Sequence, residues 1–354
     1  MILRCHKIYI SIVTLNYNNI DALGWKSDES AALLSLRTAL QAYFETYRAT
    51  YEEFSNPLKF DDTILQSEFE SDLYKSLYFT TITHFQNFFE LCFKKILNQF
   101  EDVNPHIKFF DVLNRLIQIK ENNEIGEIKC YIESLLKKKN DVEFLNKLRN
   151  RIWHGGVFYL SYSKLDMFVC QKILPLVTEI VSKEYVSENN LWKYKSLNAG
   201  IDPIDFLIKE ASTETPDMAK IALYKEMGRA AYHNPMIQMG NCDSMLKKAY
   251  ETHMNEEWIR ETRAKTDAVC KEFYFADVYS CPVCGQKTLI KHEISDAEEG
   301  RDEKGNEIPL FYFIPERIKC ETCSFEIVSN IIDLEACGID GPDFWERYIK
   351  KLMR

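Results

Sequence analysis

Two Cys-x-x-Cys pairs constrain the fold of this chain more than any other feature of its sequence. The first pair is Cys281 and Cys284, and the second is Cys320 and Cys323. Each pair forms a tight turn that aims two thiolates at one ion, and two such turns complete a tetrahedral site. We therefore expect the four cysteines to bind zinc in a structural role, because four cysteine ligands leave no open coordination position. An iron site of similar pattern is the minor alternative.

The segment between the two cysteine pairs alternates like a β-structure. Residues 287–294 and 311–319 are predicted strands, with an acidic turn over 298–307 between them, and residues 324–328 alternate as a third strand. This pattern resembles a zinc ribbon. The second cysteine pair lacks the glycine that often follows such pairs, but this departure leaves all four ligands in place.

A second motif is the run RNRIWHGG at residues 149–156. It places Arg149, Asn150 and His154 in the order R-N-x-x-x-H. Histidine moves a proton near neutral pH. Arginine holds a phosphate in a planar fork and stabilises the charge that develops on it. Arginine plus histidine is therefore a minimal set of side chains for cutting RNA without a metal.

The motif lies near the end of a predicted amphipathic helix. Asn140 and Asp141 are candidate N-caps, and Gly155 is a plausible stop. Four apolar residues fall on one face at helical spacing: Phe144, Leu145, Leu148 and Ile152. On a straight helix Arg149 and His154 diverge by about 140°. Either the helix breaks at the glycines and turns His154 round, or two copies of the motif meet across a dimer.

These residues resemble the HEPN family (higher eukaryotes and prokaryotes nucleotide-binding), whose domains are helical bundles that often carry R-N-x-x-x-H. The resemblance covers about residues 25–190 by helix pattern, and Arg149, Asn150 and His154 by motif. It implies a metal-independent endoribonuclease that forms homodimers in which two motifs line one cleft. It also implies a toxin or anti-phage defence role, with a regulatory partner or phage trigger that the sequence does not name.

The resemblance further implies how RNA is cut. The 2′-hydroxyl attacks the adjacent phosphorus and leaves a 2′,3′-cyclic phosphate and a 5′-hydroxyl. His154 transfers the proton, Arg149 binds the phosphate, and Asn150 positions the phosphate or His154. Glu90 is a weaker candidate, because some HEPN domains carry an acidic residue on an early helix that faces the motif. It shares a polar stripe, Asn87, Glu90, Lys94 and Asn98, which a solvated face or a dimer surface explains more simply.

Other interpretations stay open at this point. An ordinary helix end is the alternative explanation of Arg149 and His154, because cations suit the negative end of the helix dipole. Trp153 and Ile152 are then core residues. One functional alternative is an inactive HEPN bundle used for dimerisation, with a ribbon that binds nucleic acid or protein. Another is a regulated effector whose ribbon or middle region senses a phage product or a nucleotide.

The remainder of the chain is predicted to be mainly α-helical. Helical periodicity predicts long helices at 28–54, 68–100 and 107–120. Ser161 or Ser163 caps a later helix that runs to Tyr185, with Pro175 kinking it or shifting its start.

We expect five segments along the chain. They are an arm at 1–24, a HEPN-like bundle at 25–190, a helical connector at 191–275, the ribbon at 276–330 and a last helix at 331–354.

Composition limits the functional classes. The chain is 46% hydrophobic, which supports packed cores, and its net charge is −10, which argues against binding nucleic acid by charge alone. A local basic cleft remains compatible with that charge. Neither a membrane span nor an ordinary signal peptide is expected. Eleven cysteines, seven of them scattered, fit free thiols of a reducing compartment, so we predict a cytoplasmic protein.

Overall fold

The structure is a computed structural model, and the part of the chain that it describes is mainly helical. The described residues are 30–53, 72–104, 106–122, 126–154, 159–185, 202–233, 245–272, 278–301 and 307–328. The predicted arm at 1–24 and the predicted last helix at 331–354 lie outside these ranges, as do the two glycines after His154.

Helices make up most of the described residues, and a small antiparallel sheet follows them, so the prediction of a mainly α fold with a small β segment is confirmed at this level. The helices are α1 (Ser30–Glu53), α2 (Asp72–Leu97), α3 (Phe109–Asn122), α4 (Gly126–Lys137), α5 (Lys139–His154), α6 (Tyr162–Phe168), α7 (Leu174–Glu184), α8 (Pro203–Ala211), α9 (Met218–His233) and α10 (Met245–Glu272). Among the described residues, no helix combines the length and apolar character that crossing a bilayer requires.

Aromatic side chains of α2 form the centre of the helical core. Phe85, Phe88, Phe89 and Phe93 recur at helical spacing and are almost completely buried. The Phe93 ring stacks on that of Phe109 with centroids 5.9 Å apart, which joins α2 to α3. Since burying one such side chain stabilises the fold by about 1.5–3 kcal/mol, this cluster fixes where α2 lies.

The motif helix α5 begins slightly earlier than the sequence predicts. The backbone N–H groups of Asp141 and Val142 both donate to the carbonyl oxygen of Lys138, so Lys138 occupies the cap position instead of Asn140 or Asp141. Only this residue separates α4 from α5, so the second helix begins directly after the first one ends. Asp141 lies in the first turn, where its charge suits the helix dipole.

The predicted helix from Ser161 to Tyr185 is present but not uniform. Ser161 precedes α6, and a π-helical turn, Val169–Ile173, joins α6 to α7. Pro175 lies at the start of α7. Proline has no N–H to donate, but it is tolerated in the first turn of a helix, and the Leu174 N–H before it donates to the Val169 carbonyl oxygen, so the chain stays helical.

Two helices from the predicted connector range pack into the bundle. Helix α9 lies against α1 and α8, and all three contribute residues to one hydrophobic core. Contact with α1 is close at Gly228, where an added Cβ would lie 2.6 Å from the Phe44 ring. A glycine is therefore needed for α9 to approach α1 at this position.

A buried ion pair also joins α9 to the bundle. The Lys225 ammonium donates to Asp166 at 2.6 Å and to the Thr46 hydroxyl at 2.7 Å, and both Lys225 and Asp166 are completely buried. The rings of Tyr43 and Tyr162 lie 4.5 and 4.1 Å from the Lys225 nitrogen. Burial raises the pKa of Asp166 and lowers that of Lys225, while their mutual attraction opposes both shifts.

The sheet is antiparallel, with strand order β1-β2-β3-β4. The strands are β1 (Val278–Tyr279), β2 (Leu289–Arg301), β3 (Glu307–Cys320) and β4 (Glu326–Val328). Strands β2 and β3 pair as far as Arg301 and Glu307, so the hairpin is longer than predicted. The described residues of the predicted acidic turn, 298–301 and 307, are therefore strand, because cross-strand backbone bonds outweigh the weak β-propensity of these residues. Strand β1 has no counterpart in the sequence prediction.

Replacing the buried lysine tests how far the bundle depends on α9. In Lys225→Met, Asp166 remains buried without its partner, so we expect the free energy of unfolding to fall by about 3–5 kcal/mol. Urea denaturation followed by circular dichroism measures this. The double variant Lys225→Met/Asp166→Leu should recover most of the loss, because an apolar pair needs no charge partner.

Lys220 provides the matched control on the same helix. It is 39% exposed and forms long ion pairs of 3.9 Å with Glu210 and Asp217. Lys220→Met should change the free energy of unfolding by no more than about 0.5 kcal/mol. Equal losses in Lys220→Met and Lys225→Met would show that the buried pair does not hold α9 in place.

Candidate functional site

The four cysteines of the two Cys-x-x-Cys pairs form one buried cluster. The Sγ atoms of Cys281 and Cys323 are 3.5 Å apart, those of Cys284 and Cys320 are 3.7 Å apart, and all four lie within 4.8 Å of one another. A tetrahedral ion with metal–sulfur bonds of about 2.3 Å needs sulfur–sulfur edges of about 3.8 Å. The predicted gathering of these residues is confirmed, and the cluster can hold a metal ion.

Both cysteine turns have the same backbone geometry. The Gly285 N–H donates to the Cys281 carbonyl oxygen, and the Ser324 N–H donates to that of Cys320, each at 2.9 Å. Both donors have positive φ, 74° at Gly285 and 59° at Ser324. The second turn therefore adopts the left-handed conformation without the glycine that usually supplies it. This explains how the missing glycine leaves the ligand geometry unchanged.

The protein groups around the cluster do not by themselves stabilise four thiolates. Burial raises the pKa of the Cys281 and Cys323 thiols. Hydrogen bonds from Cys281, Cys284 and Cys323, together with one from Thr288, lower the pKa of Cys320. The protein groups thus favour one thiolate but oppose several in the same buried space. A metal ion supplies the positive charge that four thiolates require.

A layer of threonines supports the second cysteine turn, and it was not expected from the sequence. The Thr288 hydroxyl lies 3.3 Å from the Cys320 sulfur and 2.6 Å from the Thr322 hydroxyl. On α10, the Thr262 hydroxyl reaches that of Thr322 at 3.0 Å, and Trp258 donates to the Thr322 carbonyl oxygen at 3.1 Å. Spacing alone gives no signal for these contacts, because they join segments distant in sequence.

Helix α9 binds the same turn from another side. Arg229 donates to Glu226 at 2.6 and 2.8 Å, and it also donates to the carbonyl oxygen of Ser324. Glu226 accepts a hydrogen bond from the Glu326 backbone N–H at 2.7 Å. The side chain of Glu226 is fully buried and that of Arg229 is 5% exposed. Two buried charges of α9 therefore bind the second cysteine turn and link the four-cysteine cluster to the bundle.

The structure brings together two of the three motif residues. The Arg149 guanidinium donates through Nε to the Gln86 side-chain oxygen at 3.2 Å and through Nη1 to the Asn150 side-chain oxygen at 3.0 Å. Gln86 lies on α2 and is 2% exposed, whereas Arg149 and Asn150 are half-buried. Within the described residues, no hydrogen bond occupies Nη2 of Arg149. Two amide oxygens therefore fix the guanidinium group of Arg149 and leave its Nη2 hydrogens for an anion.

Gln86 connects Arg149 to the polar stripe of α2. Its amide nitrogen donates to Glu90 at 3.0 Å, and Lys94 donates to the other Glu90 oxygen at 2.8 Å. Burial raises the pKa of the Glu90 carboxyl, but these hydrogen bonds and the charges of Lys94 and Arg149 outweigh it, so the net shift is downward. Glu90 is thus an ionised carboxylate near Arg149, and each of its two oxygens accepts a hydrogen bond. Its i,i+4 spacing to Gln86 is the signal that could have identified the glutamine.

His154 is separate from that network. Helix α5 is unbroken through His154, its last residue, and the histidine is exposed. Within the described residues, no hydrogen bond joins it to Arg149 or Asn150. The helix therefore does not turn His154 back towards Arg149 before its end. Trp153 is 58% exposed and is not a core residue, while Ile152 packs partly against the core.

No family model, no curated protein and no solved structure matches this chain.

Replacing one of the four cysteines tests whether the cluster binds a metal ion. We expect freshly purified protein to contain one metal ion per chain by elemental analysis and to lose it in Cys284→Ser, because three cysteines hold such an ion poorly. Hydrogen exchange should then rise across residues 278–328, since metal binding supplies folding energy that this small sheet lacks. Cys270→Ser, which changes a half-exposed cysteine outside the cluster, should retain the metal. Metal-free wild-type protein with a protected sheet would contradict the assignment.

Proposed function

We propose that this protein is a metal-independent endoribonuclease of the HEPN type, with Arg149, Asn150 and His154 as its catalytic residues. The observation that best supports the proposal is the fixed guanidinium of Arg149. Gln86 and Asn150 hold it at the half-buried edge of α5, and its remaining N–H groups are available to a phosphate. An arginine present only as a helix-end cation would not need two amide partners.

The chemistry follows from these groups. His154 accepts the proton of the RNA 2′-hydroxyl as its oxygen bonds to phosphorus, and the bond to the 5′-oxygen breaks. The imidazolium of His154 returns that proton to the leaving 5′-oxygen, so the products are a 2′,3′-cyclic phosphate and a 5′-hydroxyl and the histidine is neutral again. Arg149 stabilises the charge on the phosphate oxygens, and Asn150 orients Arg149 through its amide oxygen. No metal is required for any of these steps.

We further propose that two chains form the site together. A continuous α5 separates the directions of Arg149 and His154 by about 140°. In a two-fold dimer the histidine of one chain can face the arginine of the other, and the symmetry creates two equivalent sites. The polar edge of α5 then lies near the two-fold axis.

The metal cluster takes a structural role in this proposal. Zinc suits four cysteines in tetrahedral geometry better than other common metals, and a site closed by four ligands cannot bind water or substrate. A cytoplasmic location and a defence or toxin role rest on the cysteine usage and the HEPN resemblance respectively.

The first test is RNA cleavage in the presence of a chelator of divalent ions. Wild-type protein should cut single-stranded RNA, and Arg149→Ala and His154→Ala should each lower kcat/KM by about 100-fold or more. Arg151→Ala is the matched control, because it removes an exposed arginine of the same helix turn that lies outside the motif. It should retain activity within about threefold.

Two results would overturn the assignment. Cleavage that requires magnesium and survives both substitutions would place the active site elsewhere. Purified wild-type protein that dimerises but cuts no RNA would favour the alternative of an inactive bundle used as a scaffold.

The second test mixes two inactive variants. If each site takes Arg149 from one chain and His154 from the other, Arg149→Ala and His154→Ala chains should complement each other after subunit exchange. Half of the dimers are then mixed, and each has one intact site, so about a quarter of wild-type activity should return. Light scattering checks that the protein is a dimer. A fully active monomer, or a mixture that stays inactive, would rule out the shared site.

A further inference from the structure

Trp153 is an exposed aromatic residue that neither the fold nor the proposed chemistry uses. Its side chain is 58% exposed, compared with 40–46% for Phe110, Phe144 and Trp258. The ring is nonetheless supported from one side by Phe79 of α2, with centroids 5.4 Å apart and planes inclined by 58°. One part of the indole is therefore held by the protein while another part faces outward.

The position of Trp153 relates it directly to Arg149. The two residues are four apart on α5 and so share a face, with a rise of about 6 Å between them. Their supports on α2 are Phe79 and Gln86, which are seven apart and also share a face. Two antiparallel helices thus present two neighbouring pairs, an aromatic one and a polar one. A ligand with a flat ring and a phosphate can contact both.

We propose that Trp153 is a stacking platform for an unpaired base of the RNA substrate, next to the phosphate bound by Arg149. This inference rests on the proposed endoribonuclease function and names the residue that would hold an unpaired base of the single-stranded substrate. Every base has a face that stacks on an indole, but a base inside a duplex already stacks on its neighbours. The platform therefore favours single-stranded over double-stranded RNA and accepts bases of any sequence.

The negative net charge of the chain is a second argument for base stacking on Trp153. The net charge of −10 gives little general attraction for RNA, so affinity has to come from particular contacts near the site. An indole held by a second ring loses little conformational freedom when a base binds. Base stacking on an aromatic residue depends only weakly on salt, unlike phosphate contacts, and so compensates for the unfavourable overall charge.

The experiment uses the full-length protein and a single-stranded RNA oligonucleotide with 2′-O-methyl groups. This ligand has no free 2′-hydroxyl, so it cannot be cut by the proposed route and its binding is measured independently of activity. Trp153→Ala should weaken binding by about 5- to 150-fold, and Trp153→Phe should restore most of it. Fluorescence anisotropy of the labelled oligonucleotide gives the Kd. With cleavable single-stranded RNA, the loss in Trp153→Ala should fall on KM and not on kcat.

Phe144→Ala is the matched control. Phe144 is an exposed aromatic residue of the same helix and packs edge-on against Phe168, with centroids 5.2 Å apart. It lies nine residues before Trp153, which places it on the opposite face, about 180° away. This variant should bind the oligonucleotide like the wild type. Annealing the complementary strand should abolish the difference between wild type and Trp153→Ala.

The outcomes separate this inference from the function on which it rests. If Trp153→Ala binds the oligonucleotide as tightly as the wild type and the wild type cuts RNA, only the stacking platform is wrong. If Trp153→Ala binds more weakly but the wild type cuts no RNA, the platform is retained and the endoribonuclease function is wrong. If Trp153→Ala converts dimers to monomers by light scattering and Trp153→Phe does not restore binding, the residue belongs to a self-association surface and the proposal is wrong.

Discussion

The buried charges of α9 are the constraint on which the rest of this structure depends. Lys225 points into the bundle and binds Asp166, whereas Glu226 and Arg229 bind the backbone beside the second cysteine turn. Successive residues of a helix point about 100° apart, so one short helix can satisfy both directions. A shift of α9 against the bundle would leave Lys225 and Asp166 unpaired, whereas a shift of the sheet would cost Glu226 and Arg229 their hydrogen bonds to its backbone.

This arrangement links the four-cysteine cluster to the helical part of the protein. Ser324, with its left-handed backbone, supplies the carbonyl oxygen that Arg229 needs, and it adjoins the ligand Cys323. A metal ion bound by the four cysteines would hold that turn in place, and with it the backbone groups that Glu226 and Arg229 bind. The contact of Gly228 with Phe44 extends the link to α1, which packs along α2. Gln86, the partner of Arg149, is on α2.

The sequence predicted features that depend on short spacing and missed those that depend on distant contacts. The four cysteines and their convergence follow from two local pairs, and α5 follows from local periodicity. The packing of α9 into the bundle does not, because Lys225 and Asp166 are 59 residues apart and neither has a local signal. Gln86 shows the same limit. A glutamine among phenylalanines on α2 suggests a buried polar group, but only the approach of α5 shows that its partner is Arg149.

The end of α5 carries two pairs of side chains with different chemistry. Arg149 and Trp153 form one i,i+4 pair, and Asn150 and His154 form the other, displaced by about 100° around the helix. In the proposed endoribonuclease, the first pair binds a nucleotide, and the second carries the group that moves a proton. Asn150 belongs to both, because its side-chain oxygen accepts a hydrogen bond from Arg149. In this proposal the straight helix points the binding pair and the proton-transfer pair in different directions, and the α5 of a second chain brings the two functions together at one phosphate.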